Sequence, residues 1–325
     1  MQKTLKILLL IAIMAICGKA LIAQPCDIKP DDLPELKNRI LIVDFQNDSI
    51  KEWLQENWKL NKKIEFKTQK ECLNIPKDQR ERYLIMGNFY EEMHYEGTES
   101  GKPKRMHSSH RLSIIGLIRL EDYKKALSSN NPDNMVIGTY TPEFEKDKNL
   151  KERLTNEFRN ENHSGYDFEP ERLYKTAEIK LCVKILLNQL NVIQKENKKK
   201  YNTRDLSKDQ SDVNCENIST KDIYIDKRFI KEPADISEFK KNKKFKLFVV
   251  NSEEIDNKIL NEEDVLIAYN SPFGIQGAND ILIFTHFLVN PKDGVFYYES
   301  GRSQFTMPGA YFRKAVFKEI LDCIK

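Results

Sequence analysis

The sequence predicts an α/β (α+β) chain made of two tandem, duplicated strand–helix–strand units, each with a hairpin and a closing helix. Three observations carry this. Lys62–Phe89 and Lys243–Phe273 both read as a lysine pair, an alternating strand, a polar connector and an apolar strand closing on Asn and Phe. Flanking segments recur in the same order: Arg39–Phe45 matches Asp222–Phe229, Ile50–Trp58 matches Ala234–Asn242, and His110–Leu120 matches Asn279–Val289. Apolar segments with β-branched residues also alternate with segments of helical period, as in layered sheet-and-helix folds.

Residues 1–23 predict a secretory signal peptide. Lys3 and Lys6 form a basic start, Ile7–Ile16 is apolar but too short to span a bilayer, and Gly18, Ala20 and Ala23 are small. Cleavage is expected after Ala23, with Ala20 as the competing site. Bulky Ile16 before Cys17, and Gln24-Pro25 before Cys26, argue against a lipoprotein. The expected address is periplasmic or extracellular, with outer-membrane association through a partner and no transmembrane segment in the mature chain.

Residues 24–198 form the first unit. Its first strand runs into a helix near Ile50, with Asn47 and Asp48 as the cap. Tyr90–Leu112 predicts a hairpin with its turn near Gly101. Residues 143–173 are a charged insertion. The closing helix, Tyr174–Lys198, repeats Ile179, Val183, Ile185, Leu186, Leu190 and Ile193 at helical steps. Residues 199–220 have few large apolar side chains and predict a poorly ordered polar linker. Residues 221–325 form the second unit. Its last helix carries Phe312, Val316, Ile320 and Ile324 on one stripe, with Pro308-Gly309 marking the start.

Charge narrows the function class. The formal net charge is +3, and residues 1–23 hold Lys3, Lys6 and Lys19 with no acid, so the remainder is neutral. No basic face for nucleic acid is required. Twelve glycines in 325 residues disfavour nucleotide loops. The mature chain keeps Cys26, Cys72, Cys182, Cys215 and Cys323; their spacing leaves pairing open, and Cys72 and Cys182 read as buried apolar residues.

Val43-Asp44-Phe45-Gln46-Asn47-Asp48 resembles the opening of the isochorismatase/nicotinamidase family. That likeness would make Asp44 an acid/base and require a lysine and a nucleophilic cysteine. None of the mature cysteines has the family's Gly-Val-x-x-Asp-x-Cys setting, so Asp44 reads as a strand-end residue. Folding the hairpin at Gly101 brings His94 near His107, with Glu92 on the face of His94; His110 falls on the other face, which disfavours a metal site. His163 and His286 are isolated, and Ser300, Arg302 and Ser303 read as a surface turn. No catalytic, cofactor-binding or metal-binding residue is assigned, and no cofactor is expected.

The motif order also resembles periplasmic α/β domains of the type in the curli-secretion channel and at the amino terminus of TolB. Leu41-Ile42-Val43-Asp44-Phe45 and Tyr83-Leu84-Ile85-Met86-Gly87 carry the resemblance; Ala268-Tyr269 departs from it in the second unit. The resemblance implies an envelope assembly or interaction role without catalytic residues. The expected function is therefore an exported, non-enzymatic binding or scaffold protein of a bacterial cell envelope, with a protein or envelope component as partner. The alternative is an exported hydrolase whose site, built from Asp44 or the His94/His107 hairpin, lies in the cleft between the units.

Overall fold

The computed structural model describes residues 28, 30–45, 47–99, 102–129, 135–140, 176–195, 203–231, 234–240, 244–276, 281–300 and 311–324. Residues 1–23, expected as a signal peptide, Cys26, residues 143–173 and Pro308-Gly309 lie outside these residues. The first unit contains α1 (Leu33–Asn38), β1 (Ile40–Val43), α2 (Asp48–Asn57), β2 (Ile64–Phe66), α3 (Gln69–Leu73), β3 (Tyr83–Glu99), β4 (Lys102–Arg119), α4 (Leu120–Ser129), β5 (Met135–Tyr140) and α5 (Thr176–Lys195). After α6 (Thr203–Asn214) and a 3-10 turn at Cys215–Thr220, the second unit contains β6 (Asp222–Asp226), α7 (Ala234–Lys240), β7 (Lys246–Val250), α8 (Ser252–Leu260), β8 (Leu266–Gln276), β9 (Ile281–Val289), β10 (Phe296–Glu299) and α9 (Lys314–Cys323).

The two sheets share one topology. The first runs β2-β1-β3-β4-β5 and the second β7-β6-β8-β9-β10. In each, the first strand lies parallel to the second and third, and the remaining pairs are antiparallel. The chain is therefore α/β with two similar units, as the repeats predict.

Strand alternation sends side chains into two layers on each sheet. In the first unit, Leu41 and Val43 meet α1, α2 and α5, whereas Ile42 faces Cys72 of α3 and Leu120 and Tyr123 of α4. In the second, Ile223 and Ile225 meet α7 and α9, whereas Tyr224 faces α8 and, from the first unit, Ala177, Leu181 and Ile185 of α5. Helix α5 is thus buried on two sides. Its stripe of Ile179, Cys182, Val183, Leu186, Leu190 and Ile193 belongs to the first core, and its Ala177–Leu181–Ile185 stripe to the second.

Polar contacts close the same seam. Glu262 accepts from Trp53 Nε1 at 2.8 Å and from Lys184 Nζ at 2.8 Å. Lys180 and Lys184 place their ammonium groups 5.4 and 5.6 Å from the Trp53 ring centre. Gly294 has φ +72°, and a Cβ there would lie 2.4 Å from the Lys184 carbonyl. The β9–β10 turn therefore touches the backbone of α5, and Asn188 Nδ2 donates to the Gly294 carbonyl at 3.2 Å.

Three expectations need correction. Residues 203–220, expected as a loose linker, form α6 and a 3-10 turn with Leu206, Ser207, Gln210, Ser211 and Ile218 buried. The physical reason is both apolar and polar, since Leu206 joins the first core and Ile218 the second. Gln210 Oε1 accepts from Phe296 N at 3.2 Å and Asn214 Nδ2 donates to Phe296 O at 3.3 Å, so α6 satisfies the outer edge of β10. The polar connector in each unit is helical, and α4 was not foreseen. The closing helix of the second unit starts at Lys314, although Phe312, Val316, Ile320 and Ile324 are all buried as expected.

A disulfide joins Cys215 to Cys323 with Cα atoms 5.4 Å apart, tying the entry of β6 to the end of α9. Cys72 and Cys182 are free and buried.

Two stability outcomes follow from the seam. Gly294→Ala should lower stability by roughly 2–4 kcal/mol in denaturant melts, because positive φ and overpacking against α5 add. Gln189 in α5 is fully buried, and neither of its amide atoms has a hydrogen-bond partner. Gln189→Met keeps the volume and removes the unmet polar group, so it should raise stability by about 1 kcal/mol.

Candidate functional site

Ligands of open α/β sheets bind at the carboxyl ends of strands, where successive connections leave to opposite faces. Here that point is the end of β1 in one unit and of β6 in the other. The pairings Ile42↔Ile85 and Tyr224↔Ile267 align the units, making Asp44 the counterpart of Asp226 and Gly87 the counterpart of Tyr269.

In the first unit this point is closed. Tyr123 of α4 donates its hydroxyl to Asp44 Oδ2 at 2.9 Å. The Tyr123 ring stands edge-on to Phe89, with centroids 6.1 Å apart. Gly87 packs beside it, where a Cβ would make ordinary contact with the Asp44 Cβ at 3.5 Å. Burial pushes the Asp44 carboxyl up to about 6, against the opposing hydrogen bonds from Tyr123 and the Gln69 backbone. Asn47 caps α2 by accepting from Ile50 N at 3.2 Å, as its position predicts, and also donates to Thr176 Oγ1 at 3.0 Å.

A cysteine does stand near Asp44, but it is not armed. Burial, with Asp44 close by, pushes the Cys72 thiol up to about 12, so it is a neutral, inert group. Lys67 is ion-paired to Glu65 Oε2 at 3.1 Å. Burial likewise holds the Cys182 thiol well above its ordinary value. Asp44 and Cys72 thus stand together without the thiolate that cysteine-hydrolase chemistry needs.

In the second unit the same point is open. Asp226 is buried and accepts from the Arg228 backbone at 2.8 Å and from Arg228 Nε and Nη2 at 3.0 and 2.6 Å. Beside it lies a small cleft of about 40 Å³, open to solvent, between Glu178 and Leu181 of α5, Ser252 of α8, Arg228 and Tyr269. Among the described residues, no helix equivalent to α4 covers it. Its walls combine an apolar floor with acids and one arginine, a lining suited to non-covalent contact.

The histidines divide. Strand register pairs His94 with Ser109, His107 with Glu96 and His110 with Met93. Alternation therefore places His94 and His107 on one ribbon face and His110 on the other; their side chains lie outside the described set. His286 is fully buried in β9, edge-on to Phe312 at 4.6 Å. Ser300, expected in a surface turn, is buried and accepts from His286 N at 3.0 Å. His163, Arg302 and Ser303 lie outside the described residues. Among the described residues no group of three or more His, Cys, Asp or Glu side chains could hold a metal ion.

Sequence reading missed Tyr123 and Arg228. Leu120, Tyr123, Ala126 and Leu127 recur at helical steps and mark α4, whereas Arg228 two residues after Asp226 carries no pattern of its own.

Asp44→Asn tests the closed crevice. A carboxyl raised in the folded state stabilises the fold below its unfolded value and loses that contribution as pH rises through about 6. The variant's stability relative to the parent should therefore increase between pH 4 and 7, by roughly 2–3 kcal/mol. Parallel denaturation series across pH check this; a flat difference would show that Asp44 is solvated.

No known family model, curated protein or solved structure matches this chain.

Proposed function

We propose that this protein is an exported, non-enzymatic binding or scaffold protein of a bacterial cell envelope. The observation that carries the binding role is the β3–β4 ribbon. Its two strands pair from Leu84↔Arg119 out to Glu99↔Lys102. Strand β1 reaches only Met86 on one side, and β5 reaches only Ile114 on the other. Among the described residues, the outer ribbon therefore has backbone edges with no neighbouring strand, a form of surface that takes up extended partner segments.

Two further observations support export. Residues 1–23 have the signal pattern, and a Cys215–Cys323 bridge suits an oxidising compartment. The resemblance to envelope α/β domains in Leu41–Phe45 and Tyr83–Gly87 points the same way. Among the described residues, no helix is long and apolar enough to cross a membrane.

The raised Asp44 carboxyl is the one feature favouring a hydrolase. Tyr123 already occupies its Oδ2, and the neighbouring Cys72 thiol is neutral. The binding reading is therefore the better supported.

The test combines address and contact. Fractionation of the native host should recover an exported chain beginning at or near Gln24, with Cys215 and Cys323 protected from alkylation until reduced. Photo-crosslinkers at Glu91 and Ser109 on the ribbon should capture a defined envelope component, and the same groups at exposed Lys208 and Asp212 should not. A reduced cytoplasmic chain, or amide hydrolysis abolished by Asp44→Asn, would overturn the reading.

A further inference from the structure

The four lateral sheet edges are treated differently. In the second sheet, β10 is satisfied by Gln210 and Asn214 of α6. In the first, β5 lies against α5. The other edge of that sheet, β2, is three residues long and carries Glu65, which is ion-paired to Lys63 and Lys67 on either side of the strand. Alternating charge on a short edge blocks pairing with other chains.

Strand β7 is less protected, with Lys246, paired to Asp222 of β6 at 3.8 Å, as its one charged residue. It is five residues long and reads Lys-Leu-Phe-Val-Val. It ends the second sheet, and among the described residues no strand pairs with its outer side. Phe248 is 38% exposed, although its ring is stacked on Tyr224 at 4.9 Å. Leu247 and Val249 are half-buried against the core under α7 and α9, and Val250 is half-buried against the core under α8. Both layers of the sheet therefore run out to an apolar edge where they stop.

We propose that the outer edge of β7 pairs antiparallel with β7 of a second copy of this chain, joining the two second-unit sheets across a twofold axis. Charge around the strand selects this occupant and this direction. Lys240, Lys244 and Lys246 precede or open the strand and are exposed, whereas Glu253 and Glu254 follow it and are exposed. Antiparallel self-pairing sets the basic flank of each copy against the acidic flank of the other; parallel pairing would set like against like. Centred on Phe248, the register places Leu247 opposite Val249 of the partner subunit and the two Phe248 rings side by side at the axis. Such a contact is isologous and closes on itself as a dimer. A single strand pair buries less than a standard interface, so the dimer is concentration-dependent. The proposal does not depend on export or on the β3–β4 ribbon.

Sedimentation velocity over a dilution series of the full oxidised chain tests it. The parent should pass from monomer to dimer with rising concentration. Phe248→Lys places two ammonium groups at the axis and should raise the dimer dissociation constant about tenfold or more. Val213→Lys, at a 75% exposed apolar site on α6, should leave it unchanged. Lys246→Glu and Glu253→Lys should each weaken the dimer, and their combination should restore it. Thermal melts of each variant separate loss of pairing from loss of folding. A parent that stays monomeric throughout, a dimer that survives Phe248→Lys, or a charge swap without rescue would overturn the proposal.

Discussion

Helix α5 must be buried on two sides, and most of the architecture follows from that. Its two stripes belong to different sheets: Ile179, Val183, Leu186 and Leu190 pack on the first, and Ala177, Leu181 and Ile185 on the second. Each fully buried Leu or Ile contributes about 1.5–3 kcal/mol of transfer free energy, so neither sheet could give up the helix without losing several such terms. The close approach of Gly294 to the Lys184 backbone fixes the distance between the second sheet and the helix. The contacts of Glu262 with Trp53 and Lys184 join the turn after α8 to both α2 and α5. A chain that reads as two beads on a tether is instead a stack of helix and sheet layers with one helix held in common.

Sharing α5 explains why the two units differ at equivalent points. The face of the first sheet opposite α5 is covered by its own α4, over a row of glycines in which Gly87 pairs with Gly116, and Gly116 with Gly138, across β3, β4 and β5. A Cβ on Gly116 would lie 2.8 Å from the Ile137 carbonyl. Among the described residues, the corresponding face of the second sheet has no counterpart of α4. Tyr269 and Phe287 stand opposite each other where the first unit has Gly87 and Gly116, with rings 5.9 Å apart, and α5 completes the cover. The first crevice is therefore plugged by Tyr123 and the second is left ajar beside Asp226. Duplication supplied two copies of a strand-end aspartate, and the change of covering helix gave them different surroundings.

The duplication and fold class were legible because strand alternation and helical period survive divergence of the residues themselves. Asp44 as a strand-end group, and Cys72 and Cys182 as buried thiols, were legible for the same reason. What escaped notice was contact chemistry between distant segments. Residues 203–220 look soluble, since only Leu206, Val213 and Ile218 among them are large and aliphatic. Their order comes from Leu206 and Ile218 reaching the two cores and from amide side chains that meet the backbone of β10, a partner more than eighty residues away. The second stripe of α5 escaped because Ala177 and Leu181 read as ordinary breadth of a single amphipathic face. The open crevice escaped because its walls come from α5, β6, α8 and β8, which no local pattern connects.

The seam and the closed crevice also respond to acid in opposite senses. Burial works against ionisation of Glu262, but the bonds from Lys184 and Trp53 outweigh it and hold the carboxyl below its ordinary range. A lowered carboxyl stabilises the fold above its unfolded value and loses that contribution as pH falls through the folded one. Asp44, raised by burial, stabilises most at low pH and least once ionised. Acid therefore loosens the joint between the units while it tightens the interior of the first. Glu262 also sits at φ +51°, a conformation that non-glycine residues adopt only when their surroundings hold them there. Its two bonds across the seam provide that hold, so the strained residue and the shared helix form one arrangement, with Lys184 belonging to both.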